Sequence, residues 1–340
     1  MTYKEIAESA RGQMGTWCEA CPTCNGIACG SNIPGPGSKG SGNVAARNYE
    51  AWKDYRLSMD TIVSSFTASC ATELLGRDLA LPVMIGPVGD VNRHYGEKYD
   101  TISYNDTVLR AAADAGTVAW IGDGLNPQLL SDGLALIDRL DGAGVATIKP
   151  WSMDVVFEKL DQALDARPMA VAMDVDAAGL PFLRGQEPPA GAKSVEDLRR
   201  IARRCHDAEV PFIVKGVMTV KGAQKAVRAD VDAIVVSNHG GRVLDGVPAT
   251  AEVLPEIVDE VGHAVTVLVD GGIRSGIDVF RALALGARGA LMCRPFVVAT
   301  YGGGSNGVKA YLSQIAAELC DAMEMSGAEQ VDDFDRDMLW

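Results

Sequence analysis

Little in this sequence suits it to membranes or nucleic acids. No apolar run approaches the roughly 18 residues needed to span a bilayer, so a membrane-spanning helix is not expected. Basic residues are in deficit, 31 Lys and Arg against 45 Asp and Glu, for a net charge of −14. Such a surface repels phosphates, and no Lys/Arg patch is visible to overcome it locally, which argues against a nucleic-acid groove. The opening MTYKEIAESARGQ lacks the basic-then-apolar order of a secretory signal, so the expected location is the cytoplasm. Histidine is scarce too, with four in 340 residues, which makes each one worth placing.

A hydrophobic content of 47% describes a globular chain. Its length suits one large α/β barrel carrying a short extra segment. Residues 30–43, GSNIPGPGSKGSGN, are dominated by Gly, Ser and Pro and read as a flexible linker. The domain boundary is therefore placed at residue 45, with a cysteine-rich segment and linker over 1–45 and the main body over 46–340.

Beyond that boundary short apolar runs alternate with stretches of helical period. The runs are PVMIG (82–86), TVAWIG (117–122), VATIK (145–149), MAVAMDV (169–175), PFIVKG (211–216), DAIVVSN (232–238), TVLVDGG (266–272) and GALMC (289–293). β-Branched runs without polar alternation imply strands covered on both faces, as in a parallel sheet. Eight such units predict a closed (β/α)₈ (TIM) barrel, and a doubly wound open sheet would give the same local pattern. No internal repeat is evident.

In such a barrel the chemistry collects at the C-terminal ends of the strands. There the sequence places Asp174 and Asp176, Lys215, Ser237 and His239, Asp270, and Arg294. Gly271, Gly272 and Arg274 after the seventh strand, with Arg294 after the eighth, offer backbone N–H groups and guanidinium forks to a phosphate. In His239-Gly-Gly-Arg242 a residue that takes protons near neutral pH stands three positions before a carboxylate clamp, with two glycines letting the chain turn tightly between them. His94, His206 and His263 read as loop, helix-face and helix-end residues.

The stretches FIVKGVMT from Phe212, VDAIVVSNHGGRVLDGVPATAEVLPEI from Val231, VLVDGGIRSGIDVFRALALGARGALMCRPF from Val267 and GGGSNGVKAYL from Gly302 closely resemble the FMN-dependent 2-hydroxy-acid oxidase and dehydrogenase family. The resemblance weakens over about 81–185 and is absent before residue 45. It implies FMN as cofactor and a small 2-hydroxy carboxylate as substrate, oxidised to the 2-oxo acid. It also implies an electron acceptor that the sequence does not name, and a homo-oligomer, by resemblance a tetramer.

Residue by residue, the resemblance makes His239 the base, Asp176 the carboxylate that holds it and Arg242 the carboxylate clamp. Lys215 becomes the cation beside the flavin pyrimidine edge. Ser237 joins it as a flavin contact. Asp270, Gly271, Gly272, Arg274 and Arg294 become the ribityl phosphate site. Gly86, Pro87 and Val88, in GPVGD, become backbone facing the flavin N5.

The pattern breaks in places. Ile148, Lys149 and Pro150 fall where a Gln-Leu-Tyr run is expected, Asp174 replaces a flavin-contacting Thr, and no N-terminal Tyr is in place. Arg184 is a near match to a second substrate arginine. These departures suggest a substrate other than glycolate or lactate, or one approached by a different lid, with room for a small lid at most between Arg184 and Ser194. In place of the family's N-terminal segment stand Cys18, Cys21, Cys24 and Cys29. Their C-x2-C-x2-C-x4-C spacing is close to a ferredoxin-like ligand run, and it leaves an iron–sulfur cluster, a structural zinc ion or unliganded redox-active thiols open. Two rival readings are an isomerase of the FMN-dependent isopentenyl diphosphate type and a flavin/iron–sulfur electron-transfer module.

Overall fold

The eight apolar runs fold as strands because each is buried on both sides. The computed structural model describes residues 1–340. A short hairpin, β1 (Thr72–Leu74) and β2 (Arg77–Leu79), comes first. The eight runs then give β3 (Val83–Ile85), β4 (Ala119–Ile121), β5 (Gly144–Ile148), β6 (Ala170–Asp174), β7 (Phe212–Val217), β8 (Ala233–Val236), β9 (Thr266–Asp270) and β10 (Gly289–Met292). All eight pair in parallel, and β10 closes on β3 to complete the (β/α)₈ barrel; the open sheet is excluded.

The alternation hidden in the sequence reappears in the packing. Met84, Trp120, Val145, Ala172, Ile213, Val235, Leu268 and Leu291 belong to one cluster inside the barrel, while their neighbours Ile85, Ile121, Ala146, Val171, Val214, Ile234, Val267 and Met292 belong to the core beneath the helices. Apolar side chains fill both faces, so no period of two is visible in composition. Leu74 and Leu79 of the hairpin join the interior cluster and close the barrel's N-terminal end, an element the sequence pattern did not reveal.

Two helices precede the barrel, α1 (Tyr3–Ala10) and α2 (Asn43–Ala51). The crossovers and the C-terminal region carry α3 (Val91–Tyr95), α4 (Thr101–Asp114), α5 (Gln128–Asp138), α6 (Met153–Asp165), α7 (Val195–His206), α8 (Val220–Arg228), α9 (Thr250–Val261), α10 (Gly276–Ala284) and α11 (Arg294–Ser326). Helix α4 starts at Thr101 because Asp100 caps it by accepting from the Ser103 N–H at 2.8 Å. No helix is long and apolar enough to cross a membrane.

The boundary placed at residue 45 marks no break in packing. Ile6, Ala7 and Ala10 of α1 are fully buried in the same core as the barrel helices, and Ser9 Oγ donates to the Gly302 carbonyl on α11 at 2.7 Å. The stretch expected to be a flexible linker is docked instead. Gly35, Pro36, Gly37 and Ser38 are buried. The Ser38 hydroxyl donates to the Gly240 carbonyl at 3.0 Å, and Lys39 Nζ donates to the carbonyls of Gly179 and Val243 at 3.2 and 2.9 Å. A Gly/Pro-rich stretch has no side chains to announce packing, yet its main chain hydrogen-bonds well.

Candidate active site

Side chains alternate along a strand, so the inward series of each barrel strand, carried two residues on, delivers one residue to a layer at the C-terminal mouth. That layer comprises Gly86, Gly122, Lys149, Asp174, Lys215, Ser237, Asp270 and Cys293. It is charged but nearly balanced: Lys149 Nζ lies 2.5 Å from Asp174 Oδ2, and Lys215 Nζ lies 3.1 Å from Asp270 Oδ2. Lys215 also donates to Ser237 Oγ at 2.9 Å. Burial works against its charged form, but Asp270, Asp176 and Asp174 outweigh that and raise its pKa, so it is a permanent cation.

Above this layer sits His239. Its Nδ1 is 3.0 Å from Asp176 Oδ1, its Nε2 is 4.0 Å from Asp174 Oδ2, and its N–H donates to Ser237 Oγ at 3.1 Å. Burial favours a neutral Asp176, but His239, Lys215 and Lys149 prevail and hold its carboxyl below the usual range. Asp176 thus occupies Nδ1 and leaves Nε2 without a close partner.

The backbone is bent to make this possible. His239, Gly240 and Gly241 all have left-handed φ, of 56°, 63° and 80°. A Cβ on Gly240 would come within 2.5 Å of Arg294 Nη2. Gly216, at φ 102°, serves Asp176 in the same way, since a Cβ there would lie 2.5 Å from the Asp176 carboxyl carbon. These glycines let the base and its carboxylate partner approach.

One cavity joins Lys149, Asp174, Lys215, His239 and Asp270. Pro87, Val88, Gly122, Gly271, Gly272, Arg274 and Arg294 line it too, whereas Gly86 and Ser237 are not part of its wall. Arg242 is in the wall as well, directed by carbonyls: its Nη1 donates to Gly35 O at 2.5 Å and Gly37 O at 3.2 Å. Arg274 donates to the carbonyls of Cys24 and Ile273, and Arg294 to that of Gly240. None of the three guanidinium groups has a carboxylate partner. Three cations without counter-ions in one cleft amount to an anion site. Arg294 also opens α11. The small residues Gly89 and Gly122, the Lys215 cation and the Arg274 and Arg294 guanidinium groups form a lining that fits a flavin mononucleotide.

Several residues here were not singled out as functional from sequence. His94 lines the cavity, with its Nδ1 against the Pro34 carbonyl and its ring 5.6 Å from that of Phe182. Burial, aided by the Arg242 charge, pulls its pKa down to about 4, so it is neutral. Its position depends on a fold-back of the N-terminal segment that no local pattern signals. Lys149 and Asp174, visible as departures from the family, prove to be partners. Asn48 of α2 exchanges amide hydrogen bonds with Asn238 at 2.8 and 2.9 Å, tying that helix to the turn before His239. Other residues lie elsewhere: Arg184 is exposed and outside the cavity wall, His263 is exposed, and His206 pairs with Asp232 at 2.9 Å.

Cys18, Cys21, Cys24 and Cys29 are all free and half-buried, and they line a second, smaller cavity. Burial pushes the Cys18 thiol up to about 12 and raises those of Cys21 and Cys29, which disfavours a reactive thiolate in the metal-free protein. Tyr95 and Arg294 line both this cavity and the larger one, or touch both walls.

Known proteins share this architecture. Mandelate oxidase with 3,3-difluoro-2-hydroxy-3-phenylpropionic acid superposes with a TM-score of 0.80 at 27% identity, covering 99% of this chain and 98% of that one. A peroxisomal (S)-2-hydroxyacid oxidase of Arabidopsis thaliana is 46% identical over 144 residues, 42% of this chain and 38% of its own length. An L-lactate dehydrogenase of Caulobacter sp. (strain K31) is 49% identical over 129 residues, 38% of this chain and 34% of its own length. The matched stretch is thus well under half of each of these two relatives. The model of the FMN-dependent dehydrogenase family matches residues 36–181 and 174–340, beginning inside the stretch where no resemblance was expected. With both halves of the barrel matched, the chain belongs to the FMN-dependent dehydrogenase family.

Proposed function

We propose that this protein uses FMN to oxidise a small 2-hydroxy acid to the 2-oxo acid, with His239 as the base. The observation that carries the reading is the His239 imidazole, held at Nδ1 by Asp176 at 3.0 Å and bordering the same cavity as three guanidinium groups without carboxylate partners. When bound, FMN supplies a two-electron acceptor beside the substrate α-carbon. His239 Nε2 takes the substrate proton, and Asp176 stabilises the imidazolium that results.

Arg242, oriented by the Gly35 and Gly37 carbonyls, receives the substrate carboxylate on its remaining N–H groups. Lys215 and Ser237 would hold the flavin pyrimidine edge; Asp270, Gly271, Gly272, Arg274 and Arg294 would hold the ribityl phosphate, and Gly86, Pro87 and Val88 would border the ring. Leu129, Leu180 and Phe182 form an apolar wall that suits a substrate side chain larger than a methyl group. The protein is read as cytoplasmic and as a homotetramer, which mass measurement in solution checks. Electrons leave to an acceptor other than the substrate, and the four cysteines are read as a metal site.

An absorbance spectrum of the isolated protein tests the cofactor, and anaerobic addition of glycolate, lactate and mandelate tests the reaction. Flavin absorption bleached by at least one of these acids is expected. A colourless protein overturns the cofactor assignment. Flavin that stays unbleached with every acid overturns the substrate class and favours the isomerase.

A further inference from the structure

We infer that Cys18, Cys21, Cys24 and Cys29 hold a four-iron, four-sulfide cluster that takes electrons from the flavin site and passes them singly to a one-electron carrier protein. The electron route rests on the function proposed above; the cluster itself rests on the cysteines.

All four thiols come from one twelve-residue stretch and converge on one cavity. The rest of that cavity's wall is largely apolar, with Ala28, Pro36 and Val298 among its residues. No disulfide joins the sulfurs. An apolar void ringed by four thiols is an unfavourable thing to build unless something fills it.

The separations choose between the fillings. A single zinc ion with bonds of about 2.3 Å needs its four sulfurs ~3.8 Å from one another. Asp174, Asp176 and His239 form the one group of three potential ligand atoms within 4.8 Å of each other, so no three of the four sulfurs are that close. They ring a space rather than converge on a point. A cubane of iron and sulfide holds its thiolates farther apart than a single ion does, because the inorganic core stands between them. The Arg274 guanidinium donates to the Cys24 carbonyl at 2.6 Å, and Arg294 borders the cavity itself. Nearby cations offset the net negative charge of four thiolates around such a cluster.

Placement gives the cluster a use. Tyr95 and Arg294 wall both cavities, so a cluster in one and a flavin in the other are separated by about the thickness of a side chain. Oxidation of a 2-hydroxy acid breaks one C–H and one O–H bond, forms C=O, and yields two electrons and two protons. The electrons collected at the flavin site cross to the cluster one at a time and reduce two molecules of the carrier, while the protons go to water.

The test uses the full-length protein purified without oxygen. Iron, acid-labile sulfide, zinc and FMN are assayed on one sample, and electron paramagnetic resonance spectra are recorded before and after dithionite and after a 2-hydroxy acid that bleaches the flavin. About four iron and four sulfide per chain are expected, with a cluster signal after dithionite and again after the acid. Cys24→Ser is expected to lose most of the iron and sulfide and to reduce ferricenium, as one-electron probe, at least about tenfold more slowly. If that variant does not fold, the wild-type assays decide alone. Stoichiometric zinc without sulfide, or four titratable thiols without metal, overturns the cluster. Iron and sulfide that dithionite reduces but the acid does not overturns the electron route. FMN present without iron defeats only this inference, whereas iron and sulfide without FMN defeats the proposed function instead.

Discussion

The half-barrel from β7 to β10 lines the cavity and the segment before α2 braces that lining from behind, by different means. The half-barrel contributes side chains: Lys215, Ser237, Asp270 and Cys293 emerge at the C-terminal ends of successive strands, and His239 follows two residues after Ser237. The N-terminal segment contributes main chain: the carbonyls of Gly35 and Gly37 aim Arg242, that of Pro34 meets His94, and the Ser38 hydroxyl grips Gly240. A site built from side chains carries its chemistry in residue identity. A site built from carbonyls carries it in the path of the chain. The two regions should therefore fail differently, one in rate and the other in stability.

The largest effect falls in the half-barrel. His239→Gln should lower kcat with the best 2-hydroxy acid by about 10³-fold while leaving the unfolding midpoint near that of the wild type. A loss below tenfold would break the assignment of His239 as base. On the other side, Ile6→Ala empties a fully buried position in α1. It should cost about 3 kcal/mol in urea unfolding with kcat little changed; a cost under 1 kcal/mol would mean that α1 is an appendage after all.

His94 lies where the two regions meet, and its titration follows from burial. Its pKa falls from 6.5 to about 4 on folding. Between those values the unfolded chain binds the extra proton, so stability declines as pH drops through that window and levels off below it. The decline should approach about 3 kcal/mol, and His94→Gln should flatten it; denaturation midpoints at several pH values measure both. The smallest effect is expected from Ser38→Ala, which removes a bond to the Gly240 carbonyl and an acceptor for the Ala45 N–H. It should cost about 1–2 kcal/mol and raise the dissociation constant of FMN modestly. No change in either would show that the segment's grip on the His239 turn is incidental.

The same division explains what was legible in the sequence. All eight barrel strands could be read because β-branched runs buried on both faces look alike wherever they occur, and the charged residues at their ends stood out against them. The β1–β2 hairpin escaped because TEL and RDL each bury a single apolar residue, Leu74 and Leu79, and so form no apolar run. The docking of 35–39 escaped because glycine and proline suggest mobility whenever their main-chain partners are out of sight, here some 200 residues away. Lys149 and Asp174 were each visible as an oddity. Only the neighbouring mouths of β5 and β6 show that the two oddities compensate one another.

The bond from Ser9 to the Gly302 carbonyl joins positions 293 residues apart, and it sets an order of events during synthesis. Helix α1 has no place to dock until α11 has been made. The cysteine stretch that follows α1 therefore stays undocked while the barrel strands are being assembled.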